Sequence, residues 1–180
     1  MGWTNGKTIG IVGYGRAGSA FARKLSGFDL NVIAYDKYKS VFEDEYARKS
    51  ELDTLFKQTD ILSLHIPLTK ETHQLIDYQF IRKFEKSIYL INTSHGAIIK
   101  TDDLAFEIQR GKILGAALDV LEYENSKYEK LHFGQLPESL QYLIDSDNVL
   151  LTPHIAGKTK ETEERMAENL ALEIIKAIIK

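Results

Sequence analysis

The 180-residue sequence contains no cysteine. Disulfide staples, thiol nucleophiles and thiolate metal sites are therefore excluded, and no metal centre is expected. It also lacks any basic run. Its 23 lysine and arginine residues are mixed among 26 acidic ones, for a net charge of −3. Without a cationic stripe to neutralise phosphates, nucleic acid is not an expected partner. No apolar stretch approaches the roughly 20 residues of a membrane-spanning helix. The N-terminus, Met1-Gly2-Trp3-Thr4-Asn5-Gly6-Lys7, carries no secretion signal. Gly6 stands where a myristoylation site needs Ser or Thr. With no address in the sequence, the expected compartment is the cytosol.

What is present is the composition of a globular domain long enough to bury one good core. Apolar runs alternate with helix-like segments. Strands are expected over Thr8–Val12, Asn31–Tyr35, Ile61–His65, Ile88–Asn92, Ile113–Leu118 and Val149–Leu151. These runs are continuously apolar rather than alternating, as in strands covered on both faces. Helices are expected over Ala17–Leu25, Glu51–Phe56, Asp77–Phe84, Thr101–Arg110 and Lys160–Ile179. Ser50 and Thr101 read as N-caps. The last helix places Met166, Leu170, Ile174 and Ile178 on one stripe. The alternation predicts an α/β fold, a Rossmann-type doubly wound parallel sheet with helices on both faces. Leu121 to Ser146 breaks the rhythm and carries Tyr123, Tyr128, Leu131, Phe133, Leu136, Leu140, Tyr142 and Leu143. It reads either as a self-association element or as a helix laid over the domain's own edge.

The sharpest signal is Gly13-Tyr14-Gly15-Arg16-Ala17-Gly18, directly after the first strand and opening the first helix. Asp36 closes the second strand, with seventeen residues between it and Gly18. A dinucleotide site needs this arrangement. Gly13 permits the tight turn, Gly15 admits a pyrophosphate to the backbone, and Gly18 lets the helix pack closely. The first helical N–H groups then face the phosphates. Asp36 is placed to accept from a ribose 2′-hydroxyl, and its charge disfavours a 2′-phosphate. NAD is thus favoured over NADP, although Lys37 and Lys39 follow closely.

Four more polar clusters fall at consecutive strand ends, where such sheets bind ligands. They are His65-Ile66-Pro67-Leu68-Thr69-Lys70-Glu71-Thr72, Asn92-Thr93-Ser94-His95-Gly96, Asp119-Val120-Leu121-Glu122-Tyr123-Glu124 and Thr152-Pro153-His154-Ile155-Ala156-Gly157. Each has a bland reading alone: Pro67 and Pro153 end strands, and Gly96 and Gly157 make turns. Together, in this order, they resemble the cofactor-binding domain of the D-isomer-specific 2-hydroxyacid dehydrogenases, from about Thr4 to the chain end. That family includes D-lactate and D-3-phosphoglycerate dehydrogenases and a corepressor branch. The resemblance implies that Arg16 and Ala17 contact the pyrophosphate and Asp36 the adenosine ribose. Ile66, Pro67 and Thr72 would line the adenine side, and Thr93 and Ser94 would approach the nicotinamide ribose. Asp119 would hold the carboxamide. His154 would be the acid/base, paired with Glu124. A histidine suits moving a proton near neutrality, and a neighbouring carboxylate orients such a ring. The pairing requires the loop after Asp119 to fold back towards His154. The competing reading of His154 is a plain strand-end histidine.

Two departures from the family pattern stand out. His95 occupies the position of the substrate-binding arginine. An arginine fork grips a carboxylate twice, an imidazole at most once. Hydrogen bonds to charged groups contribute about 1.5–3 kcal/mol each, so the loss would reduce turnover about 10²–10⁴-fold. His95 is then either a weak substrate contact or a surface residue beside an idle pocket. Lys158 is a smaller oddity near the pocket wall. Second, residues 1–180 read as a single NAD-binding domain, with the family's substrate domain expected to be absent. Met1-Gly2 before a family-like Trp3 reads as an artificial start, hence an isolated or engineered domain. Three functions stay open: an isolated NAD(H)-binding domain with little activity; a working dehydrogenase of 2-oxo acids completed by a partner or by its own dimer; or a non-enzymatic interaction module. The resemblance implies a homodimer, whereas a domain redesigned to stand alone would be a monomer.

Overall fold

The computed structural model describes residues 4–42, 44–124 and 136–178. Tyr128, Leu131 and Phe133 lie outside the described residues. The chain runs β1 (Thr8–Val12), α1 (Arg16–Leu25), β2 (Asn31–Tyr35), β3 (Arg48–Lys49), α2 (Leu52–Gln58), β4 (Ile61–Leu64) and α3 (Tyr78–Arg82). It continues through β5 (Ile88–Asn92), a 3-10 turn (Gly96–Ile98), α4 (Thr101–Gln109), β6 (Ile113–Leu118), α5 (Glu138–Asp145), β7 (Val149–Leu151) and α6 (Lys160–Ile178). The strands form one parallel sheet in the order β3-β2-β1-β4-β5-β6-β7. The order reverses between β1 and β4, so the carboxyl ends of these two strands flank a crevice.

Right-handed crossovers put the helices on opposite sides of that reversal. α2, α3, α4 and α5 bury Leu55, Phe80, Ile81, Leu104 and Leu143 against Val12, Leu62, Leu64, Leu90 and Leu118. On the other face α1 sets Ala22 against Ile9, Ile11 and Ala34. Among the described residues nothing covers that face towards β6 and β7, where Leu114 and Leu150 are exposed. A hollow of about 530 Å³ lies over β5–β7 there, away from the crevice. Among the described residues of α6 none is buried, and Met166, Leu170, Ile174 and Ile178 are all exposed.

Several local expectations need correction. Ser50 does not cap α2; Glu51 holds that position, and the buried Ser50 hydroxyl has no hydrogen-bond partner. Thr101 is the first residue of α4 rather than its cap, and its N–H is satisfied from afar by Glu122. Asp77, expected as the first residue of its helix, is instead the cap of α3, accepting from Phe80 N–H at 2.8 Å. Strand β4 ends at Leu64, one residue short of His65. The two-residue β3 was not foreseen. Within Leu121–Ser146, α5 buries Leu140 and Leu143 and packs on α4 and β7. For that helix, cover over the domain's own edge is the observed role.

Candidate functional site

Gly13 turns the chain out of β1 with φ +94°, in the left-handed region that favours glycine. Its N–H donates to the Tyr35 carbonyl at 2.8 Å. A Cβ here would sit 2.6 Å from the His65 carbonyl. Gly15 is the N-cap of α1, and a Cβ there would project into open space. That space is a cradle a side chain would fill, and a diphosphate can approach the backbone through it. At Gly18 a Cβ would meet the Gly13 carbonyl at 2.1 Å, so loop and helix come this close because Gly18 has no side chain. No side chain caps α1 and no acid occupies its first turn. Arg16 is exposed there, beside the positive end of the helix. This costs stability unless an anion lies between them, and a diphosphate is such an anion.

The intervening Tyr14 is buried on the α1 face. Its ring stacks on Phe42 at 4.1 Å, and its hydroxyl donates to Asp44 at 2.6 Å. Burial and the Asp44 carboxylate push its ionisation up. Its backbone N–H donates to Asp36 Oδ2 at 2.7 Å. The acid at the tip of β2 is thereby tied directly to the glycine loop. Asp36 Oδ1 accepts from Tyr38 N–H at 2.9 Å and Lys39 N–H at 3.0 Å. Burial alone would raise this carboxyl. The three N–H groups and the charge of Lys39 outweigh it and hold the group below the ordinary carboxylate range.

Asp36 and Gly13 line a cavity of about 220 Å³ together with Ile66, Pro67 and Thr72. The loop after β4 is braced from within: Thr72 Oγ1 donates to the Pro67 carbonyl at 2.7 Å and accepts from Thr69 N–H at 2.8 Å. His65, just before it, sits against Phe21 with its Nε2 3.0 Å from Ser63 Oγ. Burial lowers its pKa.

At the end of β5 the buried Asn92 organises the turn. Its amide donates to the His95 carbonyl at 3.0 Å and its oxygen accepts from the Ser94 hydroxyl at 2.8 Å. Thr93 and the His95 ring are exposed. Gly96 has backbone against it: a Cβ would lie 2.0 Å from the Leu121 carbonyl carbon. The absence of that Cβ lets the loop after β6 come in. Glu122 then accepts from Gln74 Nε2 at 2.5 Å and Thr101 N–H at 2.7 Å, pinning the loop to α4. The sequence reading assigned Glu122 no role. It lies two residues from Glu124, and spacing alone cannot say which glutamate faces which neighbour.

Asp119 at the end of β6 is buried and takes three donors. Oδ1 accepts from the Thr152 hydroxyl at 2.5 Å and Ile155 N–H at 2.9 Å; Oδ2 accepts from Ala156 N–H at 2.9 Å. Burial raises this carboxyl, but Thr152, the two N–H groups and the His154 charge pull it below its usual range. Asp119 thus clamps the loop after β7 on both sides of His154. That residue stands at φ +53°, a left-handed backbone that costs a non-glycine residue about 1 kcal/mol. Its Nδ1 lies 2.8 Å from Glu124 Oε2, and Glu124 Oε1 accepts from Leu121 N–H at 2.9 Å. The loop after Asp119 does fold back, and the two sequence-picked partners meet.

A parallel doubly wound sheet with a glycine loop, an acid at the tip of the neighbouring strand and a cavity of about 220 Å³ at its switch point has the form of a dinucleotide-binding domain. The profile of the D-isomer specific 2-hydroxyacid dehydrogenase NAD binding domain matches residues 2–156, and the chain belongs to that family. It is 43% identical over 178 residues to a glyoxylate reductase of Thermofilum pendens, covering 97% of this chain and 49% of the relative. A D-lactate dehydrogenase of Treponema pallidum is 35% identical, covering 89% and 49%. Among solved structures, the NAD-complexed D-isomer specific 2-hydroxyacid dehydrogenase of Lactobacillus delbrueckii ssp. bulgaricus superposes with TM-score 0.85 at 34% identity. It covers 96% of this chain and 53% of that one. The chain therefore spans about half the length of the curated relatives it matches.

Proposed function

We propose that this chain is the NAD(H)-binding half of a dehydrogenase acting on D-2-hydroxy acids and 2-oxo acids, with little or no turnover alone. The observation that carries this reading is the 2.8 Å Glu124–His154 pair, set on strand ends in the same row as the glycine loop and Asp36. Arg16 and the N–H groups at Ala17 and Gly18 hold the diphosphate. Asp36 accepts from the adenosine ribose, and Ile66, Pro67 and Thr72 flank the adenine. Thr93 and Ser94 approach the nicotinamide ribose. Asp119, with its three donors, keeps one lone pair of Oδ2 for the carboxamide.

When bound, the nicotinamide dinucleotide supplies the hydride. The protein's part is the proton: the imidazole, oriented through Nδ1 by Glu124, delivers a proton from Nε2 to the carbonyl oxygen of a 2-oxo acid. In the reverse direction it accepts the hydroxyl proton. His95 gives the substrate carboxylate one donor in place of an arginine fork.

Completion by another polypeptide, a second copy or a separate substrate-binding chain, is favoured by two apolar surfaces left uncovered among the described residues, α6 and the β6–β7 face. The test is NADH oxidation with glyoxylate, hydroxypyruvate or pyruvate, by the chain alone and with a relative's substrate domain supplied. Little turnover alone, and a rate on supplementation that His154→Ala lowers about 10²–10⁴-fold, is expected. Turnover indifferent to His154→Ala would refute the proposal.

A further inference from the structure

Two lysines follow Asp36: Lys37 lines the proposed adenosine cavity, and Lys39 acts on the Asp36 carboxylate through its charge and its N–H. Free ammonium groups at this place are what a ribose 2′-phosphate would need, so their presence works against the selectivity that Asp36 imposes. The side chain across the cavity answers this. Glu71, on the loop after β4, takes the Lys37 ammonium in an ion pair through Oε1 and accepts the Tyr38 hydroxyl through Oε2 at 3.2 Å. The Lys37 ammonium also lies 5.8 Å from the Tyr38 ring centroid. Three exposed side chains thus bridge β2 and the β4 loop over the cavity that Asp36, Ile66, Pro67 and Thr72 line.

Exposed ion pairs contribute little to stability, so the fold gives small reason for this one. Its electrostatic effect at the cavity is larger. It removes one of two nearby cations from use and adds a second carboxylate to Asp36. With Asp36 and Glu71 against Lys37 and Lys39, the rim carries no net positive charge to receive a phosphate. We propose that Glu71 is a cofactor-specificity residue: by holding Lys37 and the Tyr38 hydroxyl across the adenosine cavity, it withholds the cation that a 2′-phosphate would use.

This rests on the cofactor-site reading, and the experiment separates the two. NAD+ and NADP+ are each titrated calorimetrically, at low and high salt, into the unaltered chain, Glu71→Gln, Lys37→Ala and the double variant. Glu71→Gln should tighten NADP+ about fivefold at low salt, leaving NAD+ affinity within about twofold. That gain should vanish in the double variant and at high salt. Retained NAD+ binding certifies the fold of each variant. NADP+ affinity unchanged by Glu71→Gln, or a gain that persists without Lys37, overturns the proposal while leaving the cofactor site intact. Failure of the unaltered chain to bind NAD+ overturns both.

Discussion

Asp119 connects stability to chemistry, since the carboxylate proposed to face the carboxamide also fixes the loop bearing His154. Asp119→Asn turns two charge-assisted acceptors into a neutral amide and should destabilise the fold by about 1.5–3 kcal/mol. Its turnover should fall together with that of His154→Ala, read by urea denaturation and by complemented activity. A stable Asp119→Asn variant with full activity would deny it both roles. Acid sensitivity is also set at this scale. His65 has its pKa lowered by burial. The unfolded chain therefore takes up that proton first, and stability present above pH 6.5 is lost as pH falls through the lower folded value. Asp36, Asp60 and Asp119 are likewise held below 3.8 by their donors. Their contribution is full above pH 3.8 and is lost below it. Melting temperature against pH should decline in these two stages, and His65→Gln should abolish the first. A single stage in both proteins would contradict the assignment. Glycine spacing and strand-end acids follow a ligand's shape, so the meeting of Asp36 with the glycine loop and of Glu124 with His154 could be anticipated from the sequence. The roles of Glu122 and Asn92 could not, since their partners, Gln74, Thr101 and the His95 carbonyl, are visible only once the loops are packed.

At the level of elements, the sheet could be read because strands covered on both faces must be continuously apolar. Helix ends could not. The sequence offered Ser50 and Thr101 as caps, whereas α4 receives its cap from Glu122, 21 residues away; no local pattern encodes a partner so distant. The two-residue β3 was missed for a similar reason, since Arg48 and Lys49 have no apolar signature and are recruited by β2. Two glycine contacts set how the elements meet. Gly18→Ala would drive a methyl into the Gly13 carbonyl and should destabilise by about 1–3 kcal/mol, while also opening the phosphate cradle. Gly96→Ala would push out the loop carrying Glu122 and Glu124. It should cost complemented turnover more than NAD+ affinity, because the displaced Leu121 is the residue whose N–H donates to Glu124. A Gly96→Ala variant with normal turnover would show that the close approach does not position the dyad.

For the whole molecule, the two faces of the sheet are unequal. Among the described residues, one carries four helices and the larger core; the other has α1 and then uncovered strand towards β7, and no residue of α6 is buried. Among the described residues no helix is long and apolar enough to cross a membrane; the exposed stripe of Met166, Leu170, Ile174 and Ile178 is the surface that the proposed completion by another polypeptide would cover. Light scattering should report mass rising with concentration, and Leu170→Glu with Ile174→Glu should abolish the rise; a strictly monomeric unaltered chain would contradict this. The central claim concerns the opposite end of the strands, and calorimetric titration with NAD+ tests it most directly. The account predicts one saturable site per chain, weakened at least about tenfold by Asp36→Ala, which removes hydrogen bonds to a charged acceptor. A folded chain that gives no heat and no melting shift at millimolar NAD+ would contradict it.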